Sequence, residues 1–452
     1  MNLKQNGLNC LFSKPKSIIT STYHHIIISS HQHIITLSHY HINTSTHQHI
    51  ITSSHHHIIT LSHQHIIKLS HQHIIMKYFI IAGEASGDLH ASNLMRELRN
   101  EDQAADFCFL GGDLMQAQGG KMIKHYRKMA FMGFWGVLKN ARKVLNNIRE
   151  CKKAIIDYQP DVVILVDYPG FNLPMARFTK EKLNIPVYYY ISPKIWAWKE
   201  HRIHAIKENV DVLFTIFPFE TAFYGRHDYP VEYIGNPSVD SVSERPDQQQ
   251  TVKEFCAKNK LPNKPIIALL SGSRKQEITA CLPRMIQATL RFPEYQAVIA
   301  GAPGINPDYY ASVLKDKNVH IVFDQTYSLL QQAKAAVVNS GTATLEAALI
   351  GTPQVVVYNV YFGRFMMLLK DYFVKVKYIS LVNLVAEKEV VKELMAHFFT
   401  VENVSKELDN ILHDKTYRLN MLHEYDLMKK SLGGPGAASK AAKKMVELLS
   451  AR

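Results

Sequence analysis

The sequence predicts an α/β protein with two Rossmann-like domains and a cleft between them. Short apolar runs end in turns of small or acidic residues, and helical patterns follow those turns. This order is interrupted by a polar stretch at residues 238–250 (SVDSVSERPDQQQ) and then starts again. The runs are apolar on both faces, which is typical of parallel strands covered by helices. Ligands of such folds bind at the carboxyl ends of the strands, so we expect the functional residues in the turns that follow.

The first 75 residues are set apart by an eight-residue repeat. From His31 the chain runs through HQHIITLS, HYHINTST, HQHIITSS, HHHIITLS and HQHIIKLS, and the repeat stops at Ile75. This leader, residues 1–75, holds 15 of the 24 histidines, with four lysines and no acid. It has two interpretations, a metal-sequestering His tract or translated tandem-repeat DNA upstream of the true start. We favour the second and predict that the functional chain begins at Met76.

Strand candidates precede and follow the polar interruption, which we interpret as a linker. The first group is residues 77–82, 161–167, 186–191 and 212–217, and the second is 266–270, 297–300, 320–323, 335–339 and 354–358. They predict one domain at residues 76–240 and another at 241–432. The GGPG sequence at 433–436 interrupts a helical stretch, so we expect residues 433–452 to form a separate C-terminal helix.

Charge and composition limit the function classes. The hydrophobic fraction of 46% and the charged fraction of 20% exclude disorder as the main state. The formal charge is +13, and +9 without the leader, which favours an anionic partner such as nucleic acid, anionic lipid or a phosphorylated substrate. The five cysteines lack CxxC and metal-ligand spacing, which indicates reduced thiols in a cytosolic protein. No run approaches 18 apolar residues, so no transmembrane helix is predicted.

Acidic residues follow two strands of the first half. Glu84 lies in the turn at 83–88 (GEASGD), which lacks the GxGxxG spacing of a dinucleotide site. A tight turn with Asp88 as a helix cap would explain the same residues. Asp167 ends a strongly apolar strand, where an acid is costly to bury unless it is paired or functional. We predict that Asp167 is a general base or an orienting carboxylate, and the alternative is a turn acid bonded to backbone amides.

The turn after the strand at 266–270 carries an anion-binding signal. Ser273 and Arg274 stand in a small, amide-rich turn (SGSR) at the start of a helix. Backbone N–H groups, the helix dipole and a guanidinium all favour a diphosphate at such a turn. The alternative is a capping turn with a solvated arginine.

A second turn of the same half carries the same signal. Ser340, Gly341 and Thr342 offer amides and hydroxyls at a helix start, and Glu346 lies one turn further along. This arrangement suits phosphate on the amides and ribose hydroxyls on the carboxylate. An N-cap with a first-turn acid is the alternative, because the helix dipole favours that acid anyway.

An apolar and aromatic run lies between two basic clusters. It occupies residues 131–138 (FMGFWGVL), and lysines and arginines crowd residues 121–128 and 139–153. This combination is typical of interfacial binding to anionic lipid, and the alternative is a buried loop beside a solvated basic helix. The predicted membrane-associating residues are Phe131, Met132, Phe134, Trp135 and Leu138.

Five motifs follow one another along the chain: GEASGD, SPKIWAWK (192–199), FPFE (217–220), the GSR turn and NSGTATLE (339–346). Together they resemble the lipid-A-disaccharide synthases, which are GT-B glycosyltransferases of lipopolysaccharide assembly in Gram-negative bacteria. The resemblance extends from about Met76 to the C-terminus. The family often has an acid where Gly170 stands in DYPGFN, and the His-rich leader has no counterpart in it.

The resemblance implies transfer, with inversion, from UDP-2,3-diacylglucosamine to 2,3-diacylglucosamine 1-phosphate. The products would be the β-1,6-linked disaccharide 1-phosphate and UDP, with no cofactor and no metal. It implies that Glu84 and Asp167 line the acceptor side. The residues that it implies for binding of the UDP portion and the cleft are Ser273, Arg274, Ser340, Gly341, Thr342, Glu346 and Asn383 (in YISLVNL, 378–384). It also implies peripheral association with the anionic cytoplasmic face of the inner membrane, and it permits a homodimer.

Two other function classes stay open at this point. A different GT-B enzyme, such as a UDP-GlcNAc epimerase or a peptidoglycan glycosyltransferase, would share the donor half but lack GEASGD and the aromatic-basic run. A nucleic-acid-binding protein would use the basic charge, but the sequence has no RRM, KH, helix-turn-helix or zinc signature, so we expect no nucleic-acid partner.

Overall fold

The computed structural model describes residues 75–128, 141–197, 199–314, 319–359 and 377–451, and helices and strands are numbered over these residues. The octapeptide repeat and the predicted membrane-associating run at 131–138 lie outside them. None of the helices within the described ranges is long and apolar enough to cross a membrane.

The N-terminal part of the chain builds a seven-stranded parallel sheet with the order β3-β2-β1-β4-β5-β6-β7. Its strands are β1 (Lys77–Ala82), β2 (Asp106–Gly111), β3 (Lys121–His125), β4 (Val162–Val166), β5 (Val187–Tyr190), β6 (Val212–Thr215) and β7 (Glu232–Tyr233). Its helices are α1 (Ala85–Glu101), α2 (Asp113–Ala117), α3 (Ala141–Tyr158), α4 (Pro169–Phe178), α5 (Ile203–Asn209) and α6 (Pro218–Gly225). The predicted strands at 77–82, 161–167, 186–191 and 212–217 are confirmed. The strands β2, β3 and β7 were not predicted. Of these, β3 is only partly buried and β7 is exposed.

The second part builds a six-stranded parallel sheet with the order β10-β9-β8-β11-β12-β13. Its strands are β8 (Ile266–Leu270), β9 (Gln296–Gly301), β10 (His320–Phe323), β11 (Ala333–Asn339), β12 (Gln354–Tyr358) and β13 (Glu393–Met395). Along the chain, α7 (Pro237–Ser243) and α8 (Val252–Lys258) follow the last strand of the first sheet and precede the first strand of the second. The later helices are α9 (Lys275–Thr289), α10 (Pro307–Leu314), α11 (Thr326–Gln332), α12 (Thr342–Ile350), α13 (Leu381–Ala386), α14 (Val401–His413), α15 (Lys415–Leu432) and α16 (Ala437–Ser450). Short 3₁₀ turns at Tyr126–Lys128, Glu200–Arg202 and Ala396–Phe398 and a π turn at Thr179–Leu183 complete the described elements.

The central strands are buried on both faces, as their continuous apolar sequences predict. All five residues of β4 and all five of β8 are buried. Burial of each such aliphatic side chain contributes about 1.5–3 kcal/mol, so the two sheets form a rigid base for the turns at their edges. The parallel sheets and the Rossmann-like layering confirm the predicted fold class.

The chain crosses between the two sheets twice, first through α7 and α8 and then through the short segment at 433–436. The stretch at 238–250, which we interpreted as a linker, begins inside α7, and Asn236 caps that helix by accepting from the Ser238 N–H at 2.9 Å. After α15, the chain returns through Gly433–Gly436, and Asp240 of α7 accepts the Gly436 N–H at 2.7 Å. The last helix, α16, packs against α1 and buries Ala441 and Met445 in the core of the first sheet. The C-terminal helix is therefore part of the N-terminal core.

Each sheet has one point where the order of strands reverses. In the first sheet this point lies between β1 and β4, which pair with Ala82 opposite Val166. In the second it lies between β8 and β11, which pair with Leu270 opposite Val338. Crevices at such points are where ligands bind in open α/β sheets. GEASGD and DYPGFN flank the first point, and the GSR turn and NSGTATLE flank the second.

Candidate active site

The turns after β1 and β4 contact each other directly. The Tyr168 ring covers the backbone of Gly83, so closely that a Cβ at position 83 would lie 2.2 Å from the ring atom Cδ1. A residue larger than glycine at position 83 would therefore push the turns apart. This contact brings Glu84 and Asp167 together, and the Glu84 charge is one cause of the raised pKa of Asp167.

Asp167 stands on a strained and well-anchored turn. Asp167 and Tyr168 have φ angles of 42° and 50°, which place two consecutive non-glycine residues in the left-handed region. Such conformations cost of order 1–3 kcal/mol each and persist where the surroundings fix them. The Asp167 carbonyl accepts the Tyr189 hydroxyl at 2.6 Å and the Asn172 amide at 2.6 Å. The backbone of this turn is therefore held on both sides, and the Asp167 side chain is half-buried at the end of β4.

The electrostatics of Asp167 are those of a group that can exchange a proton. Burial raises the pKa of its carboxyl above the ordinary value, and the Glu84 carboxylate raises it further. The Lys194 ammonium and a backbone hydrogen bond from Tyr168 act in the opposite direction and lower this pKa. A carboxylate with a raised pKa in a partly desolvated crevice is a better base than a solvated one.

Asp88, the second acid of GEASGD, has a structural role. It is 3% exposed, and its carboxylate accepts backbone N–H groups of Gly112 at 2.7 Å, Leu114 at 3.1 Å and Met115 at 3.1 Å. It therefore caps the start of α2, a different helix from its own. The expectation that Asp88 caps the helix after GEASGD is therefore wrong, because α1 has no side-chain cap at its N-terminus and Asp88 lies inside that helix.

Two charged residues at this edge were not singled out from the sequence. Lys194 follows β5 in SPKIWAWK and is exposed, and its charge lowers the pKa of both Asp167 and Glu220. Glu220, in FPFE, is 0% exposed and accepts the Trp196 indole N–H at 3.0 Å. Both lie within motifs that carry the family resemblance, and that was the signal available in the sequence.

The amides of the GSR turn (residues 272–274) are occupied by a carboxylate of the same chain, that of Glu277. Glu277 Oε2 accepts the backbone N–H groups of Ser273 at 3.0 Å and Arg274 at 3.3 Å, and Glu277 Oε1 accepts from Arg274 Nη1 at 3.3 Å. Gly272 has a φ of +108°, and a Cβ there would lie 2.4 Å from Glu277 Oε2. This corrects the expectation that these two amides are open to a diphosphate. The Arg274 side chain is exposed, so its guanidinium is accessible to an anion.

Some of the hydrogen-bond donors at the start of α12 are already paired with carbonyls of the chain. Ser340 donates its N–H to the Val357 carbonyl at 2.9 Å and its hydroxyl to the Ile379 carbonyl at 3.0 Å. Ser340 thus fixes the turn, which corrects the expectation that its amide is offered to a phosphate. Gly341 and Thr342 are exposed, and their N–H groups donate to no acceptor within the described part of the chain. These amides at the positive end of the helix dipole form the open anion position.

Glu346 is half-buried one turn into α12. Its Oε1 accepts the Tyr327 hydroxyl at 2.9 Å, and burial raises the pKa of this carboxyl. The helix that carries Glu346, α12, packs against α7. Glu346 is therefore linked to the segment that joins the two sheets, and its second oxygen can accept a ligand hydroxyl.

Asn383 is not available to a ligand, which corrects its assignment to the cleft. The side chain is 0% exposed. Its Nδ2 donates to the Val391 carbonyl at 2.9 Å and to Glu393 at 2.9 Å, while its Oδ1 accepts the Val390 and Val391 N–H groups at 2.8 and 2.9 Å. All four hydrogen-bonding positions of the amide are used, so Asn383 fixes the loop between α13 and β13.

The described flanks of the predicted membrane-associating run are basic and exposed. Arg127 and Lys128 precede it, and Arg142, Lys143 and Arg149 on α3 follow it. Leu145, on the same helix, is 52% exposed. Within the described residues no group of His, Cys, Asp and Glu side chains is arranged to hold a metal ion.

The architecture is that of GT-B glycosyltransferases and UDP-sugar epimerases. The structure resembles a Methanocaldococcus jannaschii UDP-GlcNAc 2-epimerase in complex with UDP-GlcNAc and UDP, with a TM-score of 0.56 and 14% identity. That match covers 83% of this chain and 100% of the epimerase. The glycotransferase of kitacinnamycin matches with a TM-score of 0.55 and 12% identity, over 83% of this chain and 99% of that one. At these identities the likeness shows the fold alone.

Sequence comparison identifies the family within this fold. The family model for lipid-A-disaccharide synthetase matches residues 78–444. The lipid-A-disaccharide synthase of Myxococcus xanthus is 37% identical over 384 residues, which cover 82% of this chain and 97% of the relative. Lipid-A-disaccharide synthase 1 of Legionella pneumophila (Philadelphia 1) is 34% identical over 79% of this chain and 94% of its own length. The chain belongs to the lipid-A-disaccharide synthetase family, and it is a glycosyltransferase of lipid A biosynthesis.

Proposed function

We propose that the chain transfers 2,3-diacylglucosamine from its UDP derivative to 2,3-diacylglucosamine 1-phosphate, with inversion at the anomeric carbon. The 6-hydroxyl oxygen of the acceptor forms the new bond to C1 of the donor sugar. The bond from C1 to the diphosphate oxygen breaks, and UDP leaves with the electron pair. The products are the β-1,6-linked disaccharide 1-phosphate and UDP.

Asp167 is the proposed general base for this transfer. It takes the proton of the acceptor hydroxyl as the new glycosidic bond forms. The observation that carries the proposal is a half-buried carboxylate with a raised pKa, held on a strained turn at the strand-order reversal of the first sheet. Glu84 is the second carboxylate of the acceptor side, and its charge keeps Asp167 basic.

The second sheet carries the proposed donor site. The Arg274 guanidinium and the Gly341 and Thr342 N–H groups stabilise the charge on departing UDP, because fixed donors at a helix start favour developing negative charge. Glu346 accepts the ribose hydroxyls. Ser273 and Ser340 shape the two turns, and no metal is required in this scheme.

The two lobes divide the work in this proposal. Residues 76–240 form the acceptor and membrane-associating domain, and residues 241–432 form the UDP-sugar domain. Residues 131–138 insert among anionic lipids of the inner membrane on its cytoplasmic face, where the exposed basic flanks add about 1 kcal/mol per cation. A homodimer is compatible with this arrangement.

The proposal is tested with both acylated substrates and the chain from Met76 to Arg452. Mass analysis of the reaction should find the disaccharide 1-phosphate and UDP in equal amounts. Omission of either substrate serves as the control, because release of UDP without acceptor would indicate hydrolysis. UDP formation without disaccharide in the complete mixture would contradict the proposed transfer.

A further inference from the structure

The loop after β5 crosses the active-site edge and is pinned at both ends. At its start, the Ser192 N–H donates to the Phe214 carbonyl of β6 at 3.0 Å, and the Ser192 hydroxyl lies 2.7 Å from the Tyr224 hydroxyl of α6. Near its end, the Trp196 indole N–H donates to Glu220 Oε1 at 3.0 Å. Lys194 lies between these two attachments.

Glu220 is the buried end of the second attachment. Its other oxygen, Oε2, accepts the backbone N–H groups of Ile216 at 2.9 Å and Phe217 at 3.0 Å. Three N–H donors therefore converge on a carboxylate that is 0% exposed, and burial nevertheless raises its pKa to about 7. A buried carboxylate is tolerated when it is hydrogen-bonded in this way.

Aromatic packing makes the attachment rigid. The Trp196 ring meets the Phe219 ring edge-on, with 4.9 Å between the centroids, and Phe219 stacks on Phe217 at 5.4 Å. Trp196 is only 8% exposed. The hydrogen bond and the ring packing together fix the indole. The position of the loop backbone therefore depends on Glu220.

Lys194 connects this attachment to the proposed base. Among the described residues, the groups that act on the Asp167 carboxylate are the Lys194 ammonium and the Tyr168 backbone N–H, which lower its pKa, and the Glu84 carboxylate, which raises it. Its charge also lowers the pKa of Glu220. The sheet geometry agrees, because β4 and β5 are neighbours and the Asp167 N–H donates to the Tyr190 carbonyl at 3.2 Å, at the end of β5. The loop that carries Lys194 therefore begins beside Asp167.

We propose that Glu220 is a positioning residue whose hydrogen bond to Trp196 fixes the loop and holds the Lys194 ammonium beside the Asp167 carboxylate. The inference rests on the proposed function, because it takes Asp167 as the base. Glu220 touches no substrate in this scheme. It acts through Trp196 and the loop, and its effect appears in the protonation of Asp167.

The first arm of the test is Lys194→Met, read as the pH dependence of kcat/KM. Loss of the cation raises the pKa of Asp167, so the acidic limb moves to higher pH. UDP affinity stays unchanged. Lys182→Met, at an exposed lysine before β5, is the matched control and should leave the limb in place.

The second arm is Trp196→Phe, which keeps an aromatic ring and removes the N–H donor. It should move the acidic limb in the same direction by a smaller amount, because the loop that carries Lys194 loosens. Added to Lys194→Met, it should move the limb no further. If Trp196→Phe folds poorly, Glu220→Gln takes its place. It keeps the shape of the side chain and should move the acidic limb in the same direction.

The outcomes separate this inference from the proposed function. If Trp196→Phe and Glu220→Gln lower the melting temperature but leave the limb where it is in the parent, the pair is only structural and the inference is wrong. An additive shift in the Lys194→Met background would also overturn it. If Asp167→Asn, assayed alongside, keeps full activity, then the proposed base is wrong instead.

Discussion

The two strand-order reversals of the molecule are built in opposite ways. At the first, between β1 and β4, a strained turn carries the half-buried Asp167 carboxylate. The described groups that stabilise its ionised form are the Tyr168 backbone N–H and the exposed Lys194 ammonium. At the second, between β8 and β11, acceptors of the chain itself take up several of the hydrogen-bond donors in the turns. Glu277 occupies the amides of the GSR turn, and the Val357 and Ile379 carbonyls occupy Ser340.

This difference indicates how each site works. A group that must move a proton gains from a fixed position and a raised pKa, and a strained turn supplies the first. At the second reversal, the donors that the chain satisfies itself fix the turns. The donors left for a diphosphate are the Arg274 guanidinium and the Gly341 and Thr342 N–H groups, and because they are exposed, water can satisfy them when the site is empty. We therefore expect chemistry to depend on the first reversal and nucleotide affinity on the second.

The largest expected effect comes from Asp167→Asn. The amide cannot accept the acceptor proton, so turnover should fall about 10²- to 10⁴-fold. The measurement is the initial rate of disaccharide formation by mass detection. Asp157→Asn, at an exposed acid on α3 that pairs with Lys153, is the matched control and should retain full turnover. A rate within a fewfold of the parent would remove Asp167 from the mechanism.

Arg274→Ala should weaken UDP binding and slow transfer, each by roughly ten- to a hundredfold, the range of one charge-assisted hydrogen bond. The exposed Arg274 side chain contributes little to the fold, so the melting temperature should hold. Calorimetric titration of UDP checks the prediction. Arg291→Ala, which breaks an exposed pair with Glu402 in the same domain, is the control. Unchanged UDP affinity would make Arg274 an ordinary surface residue.

Asn383→Ala should act on stability and leave UDP affinity alone. It removes four buried hydrogen bonds and leaves Glu393 and two backbone N–H groups without this partner, which costs about 2–4 kcal/mol. Thermal or denaturant unfolding measures the loss, and the partly exposed Asn403→Ala is the comparison. If the fold is as stable as the parent but UDP no longer binds, Asn383 belongs to the site after all.

The smallest expected effect is that of starting the chain at Met76. The octapeptide repeat cannot supply a packed core, and the family match begins only at residue 78. Turnover and melting temperature should match those of the full chain. A severalfold loss of either would show that the leader contributes to the folded protein.

Periodicity and turn chemistry predicted most of the fold. Most apolar strands of both sheets were visible because burial on two faces requires continuous apolar runs, and the break at 433–436 was visible from its glycines and proline. The strands β3 and β7 were not predicted, because partial or full exposure removes that signal, and β13 has only three residues. The strand β2 was not predicted although five of its six residues are buried. The return of α16 to the first core depends on contacts more than 300 residues apart in sequence, which no local pattern encodes.

The site was predicted less completely for a related reason. Asp167 and Arg274 could be chosen from their positions after strands. The fate of a polar group depends on its tertiary partner, so nothing local distinguished Ser340 and Asn383, which the chain satisfies itself, from Gly341 and Thr342. Glu220 was not predicted because its partner lies in another motif, and the contact of Glu277 with the amides of the GSR turn was not predicted because it depends on how that turn folds.

The division of work between the two reversals is tested most directly by UDP titration of Asp167→Asn and Arg274→Ala side by side, each paired with its transfer rate. We expect Asp167→Asn to bind UDP like the parent but to show almost no transfer, whereas Arg274→Ala should lose UDP affinity and transfer rate together. A loss of UDP affinity in Asp167→Asn as large as that in Arg274→Ala would contradict this expectation.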